Sequence, residues 1–499
     1  MSDSIDTKGS PELQKKLLEE FDAESRYREF GGKLSAIVVK VMAIAVALYH
    51  LYGAVFGTPV TLKHRSLHVA MVLALGFIFY PFRKKGSRDK AAWYDIVLAL
   101  LAAATTVYIF TGYVGIISRA GMPNMADLAF AAILIVLVLE AARRVTGWAL
   151  PALGIAFILY ALFGRSLPGF FGHRGYSWAD LSSFLFVSTD GIYGTAVGVS
   201  ASYIYLFILF GAFMEKSGMG RFFNDMALAL AGSSKGGPAK VAVIASGFLG
   251  SINGAAVANV VTTGTFTIPL MKKTGYDKDF AGAVEASASV GGQLLPPIMG
   301  AAAFIMAEVL GIQYKVIAVS AILPALLYYI GIIAQVHIRA RKCGLEGISR
   351  ENLPKALDVL KERGHLLLPL VFLVVMLFAS GKTVIYSAFM TILVTIAASM
   401  LRKSTRMSLK DIADALFEGT RSMIPVAIAC ASVGIIIGVA SITGFGLSMA
   451  SAIVSLGGKS LFLTLVFTMI ACMILGMGLP SIPAYLITAT MAAPALVRL

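Results

Sequence analysis

Gly250-Ser-Ile-Asn-Gly-Ala-Ala-Val-Ala-Asn-Val-Val-Thr-Thr-Gly264, followed by Gly291-Gly-Gln-Leu-Leu-Pro-Pro297, sets glycines, small polar residues and a Pro-Pro pair inside otherwise apolar sequence. Hydrocarbon offers no hydrogen bonds, so backbone interrupted at membrane depth survives only when buried in protein or lining a cavity. Two such interruptions predict a site built from broken helices, the arrangement in which secondary transporters hold ions and carboxylates.

The surrounding composition agrees. Of 499 residues, 58% are hydrophobic and 14% charged, with a mean hydropathy of +0.82. Soluble domains carry about 25% charged residues, so the chain reads as an all-α polytopic membrane protein. Residues 1–33 are interrupted by Glu12, Glu19, Glu20, Asp22 and Glu24, unlike a secretory signal. They read as a cytoplasmic amphipathic segment with Ser10 as N-cap and Pro11 in the first turn.

The net charge of +15 sits in short loops rather than in a soluble basic domain, which argues against nucleic acid. Arg83, Lys84, Lys85, Arg88 and Lys90 share one loop, Arg143 and Arg144 a second, and Arg339, Arg341 and Lys342 a third. Basic loops between apolar spans mark the cytoplasmic side and place the N-terminus there. Apolar spans are expected near 36–57, 66–82, 93–117, 125–142 and 146–164. They divide the chain into a small four-helix membrane domain (34–145), a connecting helix and linker (146–190) and a large domain (191–499). His64 and His68, four apart at a helix entrance, read as interfacial histidines rather than a metal pair. The three cysteines suggest neither disulfide nor metal.

Basic residues flank both ends of 241–271, with Lys235 and Lys240 before it and Lys272, Lys273 and Lys278 after it. This predicts a re-entrant hairpin, against the alternative of one long tilted span. A weak internal repeat supports the hairpin. Ser217-Gly-Met-Gly220 resembles Thr443-Gly-Phe-Gly446 (443 − 217 = 226), and Thr263–Leu270 resembles Thr488–Ala495 (488 − 263 = 225). Lys216 and Arg221 flank the first turn and no basic residue flanks its mate, as in inverted repeats on opposite membrane sides. A mate for the Pro296-Pro297 unit is then expected near 296 + 225 = 521, so the chain ending at Leu499 reads as truncated.

After the break at Asn253-Gly254, a helix can start with Ser251 or Asn253 near its N-cap, offering its positive end to a carboxylate. Unwound carbonyls and the Ser and Asn oxygens suit Na⁺. Asn259, Thr262 and Thr263 share a helix face, which is either a polar wall beside the break or ordinary interhelical bonding. The prolines of Gly291–Pro297 free carbonyls as hard-cation ligands, Gln293 adds a side-chain oxygen, and a simple kink is the alternative. Glu285, an acid on an apolar helix, is a candidate for tuning ion binding or carrying a proton. Glu140 is explained by Arg143 and Arg144 one turn away. Gly381-Lys-Thr and Gly458-Lys-Ser lack the upstream glycine of a P-loop, so an ion gradient is the natural energy source. No constellation points to an enzyme or a cofactor.

These residues resemble the TRAP (tripartite ATP-independent periplasmic) transporters, in the fused form paired with a TAXI-type binding protein. Carrying the resemblance are Gly250–Pro269, Phe280-Ala-Gly-Ala-Val-Glu-Ala-Ser-Ala-Ser-Val-Gly-Gly-Gln-Leu-Leu-Pro-Pro297 and Gly476-Met-Gly-Leu-Pro480. It implies an elevator-type transport domain in a bacterial or archaeal cytoplasmic membrane. An extracytoplasmic binding protein would deliver an organic acid, with Na⁺ as the coupling ion. By position, Ser251, Asn253, Gly292, Leu295 and Pro297 would hold Na⁺, and Asn259, Thr262, Thr263, Gly478, Ser481 and Thr488 would face substrate. A stand-alone carboxylate carrier and an intramembrane enzyme are the rival readings.

Overall fold

A computed structural model describes residues 23–83, 86–119, 121–254, 256–456, 460–476 and 481–497. The expected N-cap at Ser10 and the candidate Gly478 lie outside them. Every regular element among the described residues is helical, as bilayer hydrocarbon requires of a chain this apolar. Helices α1 (Lys33–Phe56), α2 (Thr61–Phe79), α3 (Trp93–Ser118), α4 (Met125–Thr146) and α5 (Ala149–Phe163) follow the five expected spans in order. Next come α6 (Trp178–Val187), α7 (Thr195–Val199), a π turn at Ser200–Ile204, and α8 (Tyr205–Lys216). The segment that decided the sequence reading forms α9 (Met219–Ala231), α10 (Gly237–Asn253), α11 (Ala256–Lys273) and α12 (Lys278–Gly291). After the Pro-Pro loop follow α13 (Ala301–Leu310), α14 (Tyr314–Lys342), α15 (Ala356–Arg363), α16 (Leu368–Phe378), α17 (Val384–Ser399) and α18 (Leu409–Thr443). The chain continues through α19 (Phe445–Leu456), α20 (Leu461–Gly476) and α21 (Ser481–Val497). Eight helices among the described residues are long and apolar enough to cross a membrane.

Local chemistry sets several boundaries. Asn124 and Asp127 cap α4 reciprocally, each side chain accepting from the other's backbone N–H at 2.7 and 2.9 Å. Ser177 accepts from Asp180 N at 3.1 Å to start α6. Between α8 and α9, Gly218 turns the chain at φ +89°, and between α18 and α19 Gly444 does so at φ +69°. These are the two glycine turns matched in the sequence repeat. The starts of α9, α10 and α11 recur at α19, α20 and α21, displaced by 226, 224 and 225 residues (445 − 219, 461 − 237, 481 − 256).

The chain divides into two compact units, Met1–Met42 with Thr58–Ala201 and Met423–Leu499, and Ala43–Gly57 with Ser202–Ser422. In the first, a buried ion network ties the segment before α1 to the ends of α2, α3 and α4. Asp95 receives Arg28 and Arg144, each at 2.6 Å, and Glu140 receives Arg143 and Arg144 at 2.8 and 2.7 Å. The Arg28 guanidinium also donates to the Phe77 and Ile78 carbonyls at 3.2 and 2.8 Å. Glu140 thus has the structural role its neighbours suggested. His64 and His68 depart from the interfacial reading. Both are buried, and a His68 ring nitrogen lies 3.0 Å from Ser200 Oγ of the π turn.

In the second unit, α10 and α11 lie antiparallel around a tip at residue 254. Ser246 meets Thr263, and Gly250 meets Asn259. Ala239, Ala242 and Val243 of α10, Met271 of α11, Ala281, Val284 and Ala288 of α12, and Val336 and Ala340 of α14 form one buried core. Small side chains dominate it, which lets the helices approach closely where lipid supplies no hydrophobic drive.

Asp95→Ala removes the shared acceptor of two buried guanidiniums and is expected to cost about 3–5 kcal/mol of unfolding free energy. Asp180→Ala, on an exposed first turn, should cost about 0.3–1 kcal/mol. Chemical unfolding of the purified protein in detergent checks both.

Candidate functional site

The site begins where two backbones touch. A Cβ on Gly250 would stand 2.8 Å from the Gly292 Cα, and one on Gly292 would stand 2.5 Å from the Gly250 Cα. No side chain fits between them, so the end of α10 rests directly on the turn after α12. The hairpin tip then bends at Gly254, whose φ of +64° and N–H bond to the Gly250 carbonyl (3.0 Å) close α10. A Cβ there would meet the Met299 carbonyl at 2.7 Å. Gln293 Nε2 reaches back to the Gly254 carbonyl at 3.1 Å, and Gly300 N donates to the Gln293 carbonyl at 2.8 Å.

The Pro-Pro loop opposite is held in an unusual path. Pro296–Pro297 is cis, and Met299 is the non-glycine residue with positive φ (63°) among the described residues. The left-handed region costs an ordinary side chain about 1–2 kcal/mol. Tyr314 holds this path by donating to the Pro297 carbonyl (3.0 Å) or to that of Ile298. The structure therefore brings together the two sequence segments that carry Ser251, Asn253, Gly292, Leu295 and Pro297. Besides the Pro297 carbonyl, bonded by Tyr314, other candidate groups already have bonds. Ser251 Oγ donates to Phe248 O at 2.8 Å, and Gly292 O accepts from Leu295 N at 3.2 Å.

The polar face of α11 is divided. Thr262 is half-buried, whereas Asn259 and Thr263 are fully buried and turned toward α10 and α12. Asn259 Nδ2 donates to the Ser246 carbonyl at 2.8 Å, while its Oδ1, also buried, has no hydrogen-bond partner among the described residues. That amide lies against Gly250, since a Cβ at Gly250 would come within 2.9 Å of Asn259 Nδ2. Thr263 engages Glu285.

Glu285 is wholly enclosed and has no ionic partner among the described residues. Ser246 Oγ (2.7 Å) and Ser289 Oγ (3.3 Å) donate to its Oε1, as does Thr263, and Thr267 donates to Oε2. Ser246, Thr267 and Ser289 escaped the sequence reading. The signal for Thr267 was present, because 259, 263 and 267 continue one stripe at helical spacing. In the first unit, Thr488 Oγ1 donates to the Ala484 and Tyr485 carbonyls of its own helix at 2.7 and 3.0 Å, and Ser481 is exposed at the start of α21.

Comparison with known proteins matches residues 133–499 to the family described as tripartite ATP-independent periplasmic transporter, DctM component. The chain is 28% identical over 204 residues to the C4-dicarboxylate TRAP transporter large permease protein DctM of Vibrio cholerae, covering 41% of this chain and 40% of that one. It is 35% identical over 94 residues to the isethionate TRAP transporter permease protein DctMQ of Oleidesulfovibrio alaskensis (19% and 15% covered). To the 2,3-diketo-L-gulonate TRAP transporter large permease protein YiaN of Escherichia coli it is 27% identical over 120 residues (24% and 28%). The matched stretches span 40% or less of these relatives' lengths.

Gly292→Ala must push two backbones apart and is expected to reduce any activity of the site by at least about tenfold, since a 1 Å misplacement alone can cost 10²-fold. Gly282→Ala is the control, because nothing lies within 4 Å of its added Cβ. It should leave activity intact and gain up to about 1 kcal/mol of helix stability. Parallel assays and melting curves of the two variants separate the outcomes.

Proposed function

Because the chain belongs to the DctM family of tripartite ATP-independent periplasmic transporters, we propose that it is the permease of a Na⁺-coupled uptake system for an organic acid. An extracytoplasmic binding protein of the TAXI type delivers the substrate. The observation that carries this reading is the joined pair of interrupted segments, 250–254 and 292–300, closed by glycine contacts that leave backbone groups and hydroxyls at the break. In this reading Ser251, Asn253 and the backbone of Gly292, Leu295 and Pro297 hold Na⁺. The buried Asn259, whose Nδ2 lies against Gly250, supports a polar site at this break.

Substrate meets the positive end of α11, on whose polar face Thr262 lies, and Gly478, Ser481 and Thr488 are the substrate-facing candidates of the second hairpin. Relatives named for C4-dicarboxylate, isethionate and 2,3-diketo-L-gulonate support an organic anion. Helices α9–α11 and α19–α21 act as inverted repeats that move as an elevator. The four N-terminal spans act as a fused small subunit, with the N-terminus cytoplasmic and the protein in the cytoplasmic membrane. The competing reading is a carrier that takes carboxylate directly from solution, which the same hairpins would also serve.

Reconstitution with its binding protein under an inward Na⁺ gradient should give uptake that collapses without the gradient or without the binding protein. Equal uptake without the binding protein would favour the stand-alone carrier. Asn253→Ala should raise the Na⁺ concentration for half-maximal uptake by about tenfold, the loss expected from one good ligand. Unchanged Na⁺ dependence would remove Asn253 from the site.

A further inference from the structure

The turn between α11 and α12 and the end of α14 form one surface of the second unit. Arg339 Nη2 donates to Asp277 Oδ2 at 2.7 Å, and its guanidinium stands 5.6 Å from the centre of the Phe280 ring. Phe280 in turn stacks on Tyr276 at 5.7 Å. Leu345, just past α14, packs against the turn at Gly275, where an added Cβ would meet its Cδ2 at 3.0 Å. The base of the first hairpin is thereby fixed to the end of α14.

On this joined surface lie Lys272, Lys273, Lys278, Arg341 and Lys342, all exposed. Asp277 is held by Arg339, which leaves Asp279 and Glu346 as the acids beside them. Part of the charge has a local use. Lys272, Lys273, Arg341 and Lys342 close helices whose carbonyl ends carry partial negative charge. Lys278 does the opposite, since it begins α12, where the helix dipole disfavours a cation. Helix capping therefore does not account for the whole cluster.

The cluster also ends an exposed apolar track. Val316, Val319, Leu323, Leu327, Ile330 and Ile338 of α14 are 47–66% exposed and recur on one face at helical spacing. From Val316 to Ile338 the track rises about 33 Å, close to the hydrocarbon thickness of about 30 Å. Arg341 and Lys342 stand three and four residues beyond Ile338, on the same face. An apolar track that runs into a group of cations matches an anionic phospholipid read from acyl chain to phosphate. The hairpin tip is elsewhere, because Lys272 is 18 residues from Gly254 (272 − 254), about 27 Å of helix. We propose that this surface binds the phosphate headgroup of an anionic phospholipid whose acyl chains lie along α14. The lipid braces the base of the first hairpin against α14. A zwitterionic lipid brings the same chains without net charge, so the headgroup carries the selectivity. The inference goes beyond the transport reading and does not depend on its substrate or its cation.

The test titrates phosphatidylglycerol into the purified full chain in detergent and reads the melting temperature. Phosphatidylcholine with the same acyl chains and free glycerol phosphate are the comparison arms. Phosphatidylglycerol should act at a concentration at least about tenfold below that of phosphatidylcholine, and glycerol phosphate should have no effect. Lys272→Gln with Lys273→Gln, or Arg341→Gln with Lys342→Gln, should raise the half-effective phosphatidylglycerol concentration about 30-fold, about fivefold for each cation. Neither pair should alter the response to phosphatidylcholine. Lys403→Gln with Arg406→Gln, two exposed cations of the α17–α18 loop, should shift the titration by less than about twofold. Should neither patch pair fold, Lys278→Gln decides. It removes the cation that the helix dipole disfavours, and should lose about fivefold in phosphatidylglycerol affinity without a lower melting temperature in phosphatidylcholine. The inference is overturned by equal effects of the two lipids, or by glycerol phosphate matching phosphatidylglycerol. A control pair that weakens binding as much as the patch pairs, or an unmoved Lys278→Gln titration, overturns it as well.

Discussion

The second unit depends on one contact, the meeting of the Gly250 and Gly292 backbones. It is possible because neither residue has a side chain, and it fixes everything adjacent to it. It sets where α10 ends, how Gly254 bends the tip, and which loop the tip faces. Backbone that leaves a helix in an apolar chain must find partners within the protein. Here Gly254 and Gly300 bond to Gly250 and Gln293, and Gln293 reaches back to Gly254. The interruption is closed on itself.

Much of this was legible in the sequence, for physical reasons. Five apolar runs became five helices because bilayer length and hydrophobicity leave little choice of structure. The glycine turns at 218 and 444 were visible as paired motifs because both require a left-handed residue. The orientation of α11 was not legible. Periodicity put Asn259 and Thr263 on one face but could not say whether that face met substrate, lipid or another helix. The deciding partners, Ser246 and Glu285, lie 13 to 22 residues from them along the chain. His64 and His68 escaped in the same way, since nothing near them in sequence announces the π turn that covers His68.

The two units answer the problem of buried charge differently. Around Asp95, charge meets charge, with two guanidiniums on one carboxylate and further bonds to backbone carbonyls. Such an arrangement is costly to break and holds the segment before α1 in place. Around Glu285, four hydroxyls stand where a guanidinium would. Hydroxyls donate or accept by rotating one bond, whereas a guanidinium only donates. The first device is rigid by composition and the second adjustable.

The bare meeting of Gly250 and Gly292 has a mechanical side as well. Helices usually interlock through side chains seated in one another's grooves, and sliding them means climbing over those ridges. A surface made of two α-carbons has no ridge to climb and no rotamer to change. It resists separation through close dispersion contact, while the hydrogen bond from Gln293 to the Gly254 carbonyl sets the position of the tip along it. Register at this seam is thus held by a hydrogen bond where interlocking side chains would ordinarily hold it.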